Sequence, residues 1–183
     1  MTLQIALLRA VNVAGNSMIS MARLKGMIQE LGFEAETLLQ SGNVVLADTK
    51  LSGDALEKLL EAETAKRLGL TTDFFVRSAS EWDALIKANP FTKEAKDDPG
   101  HLVAMSLKRA AKASDVKALE AAIKGRERVA ARGRQLYVTY PDGIGRSKLT
   151  IGVIEKALGT RGTGRNWNTV LKLAAMAERS TRV

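Results

Sequence analysis

Two short stretches near the end of this chain carry the residue types that hold an anion. Asp142-Gly143-Ile144-Gly145-Arg146-Ser147-Lys148 and Gly164-Arg165-Asn166-Trp167-Asn168-Thr169 set cations beside glycines, hydroxyls and amides, ahead of apolar periodic segments. A helix opening at each would offer unpaired N–H groups and a partial positive charge, conditions that suit a phosphate or carboxylate. Arg146, Lys148 and Arg165 would add full charge, and Ser147, Asn166 and Thr169 hydrogen-bonding groups. These six form the first candidate ligand site, with a nucleotide or other phosphate-bearing small molecule as its partner. The pattern is not a P-loop, which requires Gly-x-x-x-x-Gly-Lys-Ser/Thr, and Gly159-x-x-Gly162-x-Gly164 does not match the dinucleotide fingerprint.

A second polar set lies near the beginning. Leu3-Gln4-Ile5-Ala6-Leu7-Leu8 alternates as a strand and is apolar on both sides, which places it in the middle of a sheet. It runs through Arg9 and Asn12 into a loop containing Gly15, and Gln40-Ser41-Gly42-Asn43 reads as a tight turn. Arg9, Asn12, Ser41 and Asn43 converge if that loop and that turn share one sheet end. Asn12 and Asn43 equally suit plain turn geometry, since asparagine tolerates the left-handed region.

Covalent and metal chemistry find little support. The chain has no cysteine, which excludes disulfides, thiolate catalysis and zinc–thiolate sites. His101 is the single histidine, and it stands at the start of the apolar run Leu102–Leu107, where a structural role fits best. No Ser-His-Asp set is spaced for catalysis, and Asp97-Asp98 falls in a polar stretch. The residues therefore call for no metal and no cofactor, and whether the protein is an enzyme stays open.

The elements that must position these groups form a repeat of order. Ser20 caps a helix to about Leu31 with Met21, Leu24, Ile28 and Leu31 on one stripe, and Gly32 ends it. Strands follow at 35–39 and 44–47. Asp54 with Glu57 resembles a capping box opening a helix that stops at Gly69. A strand at 72–77 and a short helix to about Ala88 complete β-α-β-β-α-β-α. Thr92–Gly100, with Asp97-Asp98-Pro99-Gly100, reads as a linker. Beyond it come a strand at 101–107, a helix at 114–124, strands at 128–131 and 135–140, a helix at 148–158, a strand at 160–164 and a helix at 167–178. The order is again β-α-β-β-α-β-α. Split β-α-β units of this kind make antiparallel sheets with helices on one face, so the expected fold is α+β with two ferredoxin-like subdomains. Their expected limits are 1–91 and 101–183, joined by 92–100.

With 183 residues, 45% of them hydrophobic and 26% charged, the chain can bury a substantial core. No apolar run approaches the roughly 18–20 residues of a membrane helix, and the start lacks the basic region and small-residue cleavage site of a secretory signal. A cytoplasmic location without membrane contact is the expectation. The net charge of +8 is uneven: residues 124–183 hold 13 of the 28 Lys/Arg but only 4 of the 20 Asp/Glu. Such asymmetry points to a phosphate-bearing partner or to a solvated basic face.

Nucleic acid is the main alternative partner. The strand Gln135–Thr139 would present Tyr137 where RNA-recognition modules place a stacking aromatic, but those modules need several aromatics and this chain is only 4% aromatic. Nonspecific contact through Lys108, Arg109, Lys112, Arg132, Arg134 and Arg161, grouped at one sheet end, survives that objection.

Five motifs taken together resemble a known family. Leu8-Arg9-Ala10-Val11-Asn12-Val13-Ala14-Gly15, Gln40-Ser41-Gly42-Asn43, Asn89-Pro90-Phe91, Asp142-Gly-x-Gly145-x-Ser147-Lys148 and Arg165-Asn166-x-x-Thr169 look like the bacterial domain-of-unknown-function family 1697, DUF1697. The likeness spans nearly the whole chain and departs at Ala10 and Ala14, where the family usually has glycines. It implies ferredoxin-like subdomains and assigns no activity, substrate or catalytic residue. Four readings follow: a binder of an anionic ligand at helix N-termini, a nonspecific nucleic-acid binder, an enzyme acting on a phosphorylated small molecule, and a self-associating scaffold. The oligomeric state is open.

Overall fold

In a computed structural model, which describes residues 3–9, 19–47 and 49–180, the elements appear in the expected order. The first half comprises β1 (Gln4–Leu8), α1 (Met21–Glu30), β2 (Glu34–Leu38), β3 (Asn43–Ala47), α2 (Gly53–Leu68), β4 (Phe74–Ser78) and α3 (Ala79–Lys87). After α4 (Thr92–Asp97), the second comprises β5 (Leu102–Leu107), α5 (Ala113–Ala122), β6 (Arg128–Arg132), β7 (Gln135–Thr139), α6 (Ile151–Leu158), β8 (Gly162–Asn166) and α7 (Trp167–Ser180). The sheets run β2-β3-β1-β4 and β6-β7-β5-β8, with every neighbouring pair antiparallel. This is the ferredoxin-like order, formed twice. The chain divides into two units. One is built from the chain up to Ala84 together with the stretch from Lys172, and the other spans Leu85–Leu171.

Local chemistry sets most of the boundaries. The Ser20 hydroxyl accepts from the Arg23 amide at 3.4 Å and opens α1, whose Met21, Leu24, Met27 and Ile28 are buried. Gly69 and Gly159 close α2 and α6 in the left-handed conformation. In the first unit Ala6, Leu8, Val44, Leu46, Phe74 and Val76 pack with Leu24, Ile28, Leu56 and Leu60 of the helices. In the second, Met105, Leu107, Leu136 and Val138 pack with Leu119, Ile154 and Leu158. The opposite sheet faces are buried as well, with Ile5, Leu7, Val45 and Phe75 on one sheet and Ala104, Ser106 and Tyr137 on the other.

Four expectations are corrected. Glu57 is not part of a capping box. It is buried, accepts the Val76 amide at 2.8 Å and lies 3.6 Å from the Arg77 guanidinium, so it bridges α2 to β4. One turn along α2, Glu61 accepts the Phe74 amide at 2.9 Å. β4 is an edge strand, and these carboxylates satisfy N–H groups that no further strand pairs. The second unit repeats the device where Glu155 of α6 accepts the Gly162 amide of edge strand β8 at 3.0 Å.

The other corrections concern placement. The stretch read as linker contains α4, which begins right after Phe91, whose amide donates to the Asn89 side chain. Tyr137 is fully buried and its hydroxyl donates to the Leu85 carbonyl, so it is no stacking platform. Finally, α6 begins at Ile151 behind the Thr150 cap instead of at Lys148, and Ile144–Arg146 forms a 3₁₀ turn.

Glycines let β8 lie close to β5. A Cβ on Gly162 would fall 2.5 Å from Met105 Cε and 3.1 Å from the Ser106 carbonyl oxygen. Gly162→Ala should therefore destabilise the protein by about 1–3 kcal/mol through overpacking. Glu57→Ala should cost about 3–5 kcal/mol, because it removes a buried charge partner of Arg77 and the acceptor of the Val76 amide. Urea unfolding measures both, and Glu61→Ala, on a half-exposed side chain, should cost less than Glu57→Ala.

Candidate functional site

The second unit holds a cavity of about 460 Å³ between the end of α5, the loop after it and the segment that leads into α6. Its apolar lining comes from Leu119, Ala122, Ile123, Leu149 and Val153. Its polar lining comes from Lys124, Glu127, Asp142, Arg146, Ser147 and Lys148. The topology explains the meeting. α5 packs on the sheet beside α6, so the chain leaving α5 comes next to the chain entering α6.

The loop is held by internal bonds. The Tyr140 hydroxyl donates to the Leu149 carbonyl at 3.0 Å. The Ser147 hydroxyl donates to the Glu127 carboxylate and accepts the Leu149 amide at 3.0 Å. Gly125 leaves room for that carboxylate, which a Cβ there would meet at 2.1 Å. Asp142 is paired with Arg126, which holds its carboxyl below the usual carboxylate range, with Arg146 adding a smaller pull in the same direction. Both acids at the rim are thus engaged. Lys124, Arg146 and Lys148 are exposed and make no ion pair among the described residues.

Of the six residues in the first predicted site, only Arg146, Ser147 and Lys148 come together here. Arg165, Asn166 and Thr169 sit at the same end of the sheet but do not line the cavity. Arg165 pairs across from Ala104, which pairs with Tyr137, so it lies on the face away from α5 and α6. Its guanidinium donates to Thr163 Oγ1 at 2.9 Å and to the Gly164 carbonyl at 2.8 Å, and burial lowers its pKa to about 10. The Asn166 side chain caps α7 by accepting the Thr169 amide and hydroxyl at 3.0 and 3.1 Å. The α6 start is likewise capped by Thr150. The helix N-termini have therefore been served from within, and the site's positive charge resides on side chains.

The other predicted set is brought together in part. The Leu8 amide donates to the Gly42 carbonyl at 2.8 Å, which sets the end of β1 against the hairpin turn, and the Arg9 carbonyl accepts from Thr72 at 2.8 Å. Asn43 is fully buried, and its amide donates to the Leu38 carbonyl and to Ser41, which makes it a turn-building residue. Asn12 lies outside the described residues.

Sequence reasoning missed Lys124 and Glu127. The only signal was their place at and just beyond the end of the helix expected at 114–124. His101 stands just before β5 and sits 2.9 Å from the Asp98 carboxylate. Among the described residues no group of His, Asp and Glu is arranged to hold a metal, and no helix is long and apolar enough to cross a membrane.

Burial raises the pKa of both Tyr137 and Tyr140 to about 12, and the Glu127 charge adds to the effect at Tyr140. These are the chain's two tyrosines. A folded value above the unfolded one gives stability that is complete below about pH 10 and is lost as pH rises towards 12. Tyrosinate absorbance should thus stay low at pH 10–11 and rise together with the loss of circular dichroism.

Comparison with known proteins bears on the fold. The family model described as "Protein of unknown function (DUF1697)" matches residues 1–137. The conserved bacterial protein SP0830 from Streptococcus pneumoniae has a similar solved structure, with 20% sequence identity and a TM-score of 0.72. The match covers 96% of this chain and 98% of that one. No curated protein gives a significant match.

Proposed function

From a chain that belongs to the DUF1697 family of proteins of unknown function, we propose a binding function: its second unit takes a small anion, phosphate-bearing and partly apolar, in the cavity beside α5 and α6. The reading rests on three exposed cations, Lys124, Arg146 and Lys148, standing around an apolar floor while both nearby carboxylates are occupied by Ser147 and Arg126. Ligand pockets commonly combine an apolar lining with a few placed charges in roughly 300–1,000 Å³. Val153 and the neighbouring Ile144 and Ile151 are exposed apolar side chains, which favours a ligand with a hydrophobic body over a bare phosphate. A nucleotide meets that description through its base. A cytoplasmic setting, where such metabolites abound, is part of the proposal.

An enzyme acting on a phosphorylated small molecule would use the same cavity. The geometry favours binding, because the Ser147 hydroxyl is engaged by Glu127 on one side and the Leu149 amide on the other.

The test is thermal-shift screening with nucleotides and phosphorylated metabolites at about 1 mM, followed by calorimetry on any hit. A ligand present at about 100 times its Kd adds about 2.7 kcal/mol of stability and raises the Tm measurably. Arg146→Ala and Lys148→Ala should each weaken binding about tenfold or more, while Arg165→Met should leave the affinity within about twofold. No stabilising ligand in the panel, or a Lys148→Ala protein that binds as well as the parent, would defeat the proposal.

A further inference from the structure

The opposite end of the second sheet carries a separate and denser group of cations. β5 ends there, β7 begins there, and the Leu107 amide donates to the Arg134 carbonyl at 2.9 Å. The next amide, Lys108, donates to the Arg161 carbonyl at 2.9 Å, which ties the entry to β8 into the same end. Arg109 follows, its amide on Thr160 and its guanidinium on the Gly159 carbonyl at 2.6 Å, where it caps the negative end of α6. Lys108, Arg109, Lys156 and Arg161 line one shallow groove of about 560 Å³. Lys112 stands just before α5, and Arg132 and Arg134 flank the hairpin between β6 and β7. The groove has one carboxylate, Glu155, and that group accepts the Gly162 amide.

We propose that this end of the second unit docks on the phosphate backbone of duplex nucleic acid, independently of base sequence and of the cavity described above. Three observations choose that occupant. The first is breadth. The end spans four strands, about 14 Å at about 4.8 Å per spacing, which is comparable to a major groove about 12 Å wide and lets its two sides reach phosphates of both strands. The second is the lack of a stacking surface. Phe91, Tyr137, Tyr140 and Trp167, the aromatics of this unit, are all buried, which argues against single strands bound through their bases. The third is the lack of apolar residues to insert into a lipid surface. The side chains that line the groove, Lys108, Arg109, Glu155, Lys156, Thr160 and Arg161, are all polar or charged.

The experiment is fluorescence anisotropy with a labelled duplex of about 20 base pairs over a salt series. Binding should weaken with a log–log salt slope of about −4 to −6, since each phosphate contact contributes about −0.9. The combined variant Lys112→Glu, Arg132→Glu, Lys156→Glu removes exposed charges while leaving Arg109 and its cap on α6 in place. With unchanged circular dichroism it should bind about tenfold more weakly or worse, with a shallower slope. The cavity variant Arg146→Ala, Lys148→Ala should bind duplex within about twofold of the parent. No anisotropy change at about 20 mM salt would overturn the proposal. So would equal loss in the cavity variant, or binding to phosphatidylserine vesicles but not to duplex.

Discussion

A carboxylate that accepts the outward amide of an edge strand is the interaction on which both halves of this structure depend. In each unit the last strand of the sheet has a row of N–H groups with no further strand to pair them. The preceding helix supplies the missing acceptor: Glu57 and Glu61 of α2 for Val76 and Phe74, and Glu155 of α6 for Gly162. Such a bond sets where the helix lies along the strand as well as satisfying a polar group. In the first unit the Glu57–Arg77 pair adds charge to that constraint in a setting where neither side chain meets water. The halves share the device although their residues show no visible repeat. Repetition here is a property of hydrogen-bond bookkeeping and topology.

Placing α6 in this way also decides where the charge of the second unit goes. The segment entering α6 must lie near the end of α5, and the segment leaving it must meet β5 and β8. Cations on the entering segment gather around an apolar cavity, and cations beyond the helix end gather on an open groove. The two groups differ in surroundings more than in charge. Around the cavity, apolar walls and engaged acids suit a small molecule that can be enclosed. The groove has breadth and is lined only by polar or charged side chains and glycines, which suits an extended polyanion.

Strand alternation is the reason the two cation-bearing stretches, 142–148 and 164–169, do not form one site. Gly162 and Gly164 face the helices, where a side chain would collide with Met105, Leu107 and Val103. Arg165 therefore faces the other way, with Ala104 and Tyr137. Proximity along one sheet end does not bring side chains together when the sheet itself stands between them.

Local patterns were enough to read the element order, the helix ends at Ser20, Gly32, Gly69 and Gly159, the two antiparallel sheets and the family resemblance. Each of these depends on interactions within a few residues or on the alternation of apolar side chains. The hairpin role of Asn43 was also legible, because an asparagine beside a glycine suits a tight turn. Only the tertiary structure decided that Glu57 serves a strand instead of its own helix start, that Tyr137 is buried, and that Lys124 and Glu127 join Ser147 and Lys148 while Arg165 does not. Those outcomes hinge on which face of a sheet a residue occupies and on which distant amide lacks a partner. Neither can be read from a stretch of chain before its neighbours in space are known.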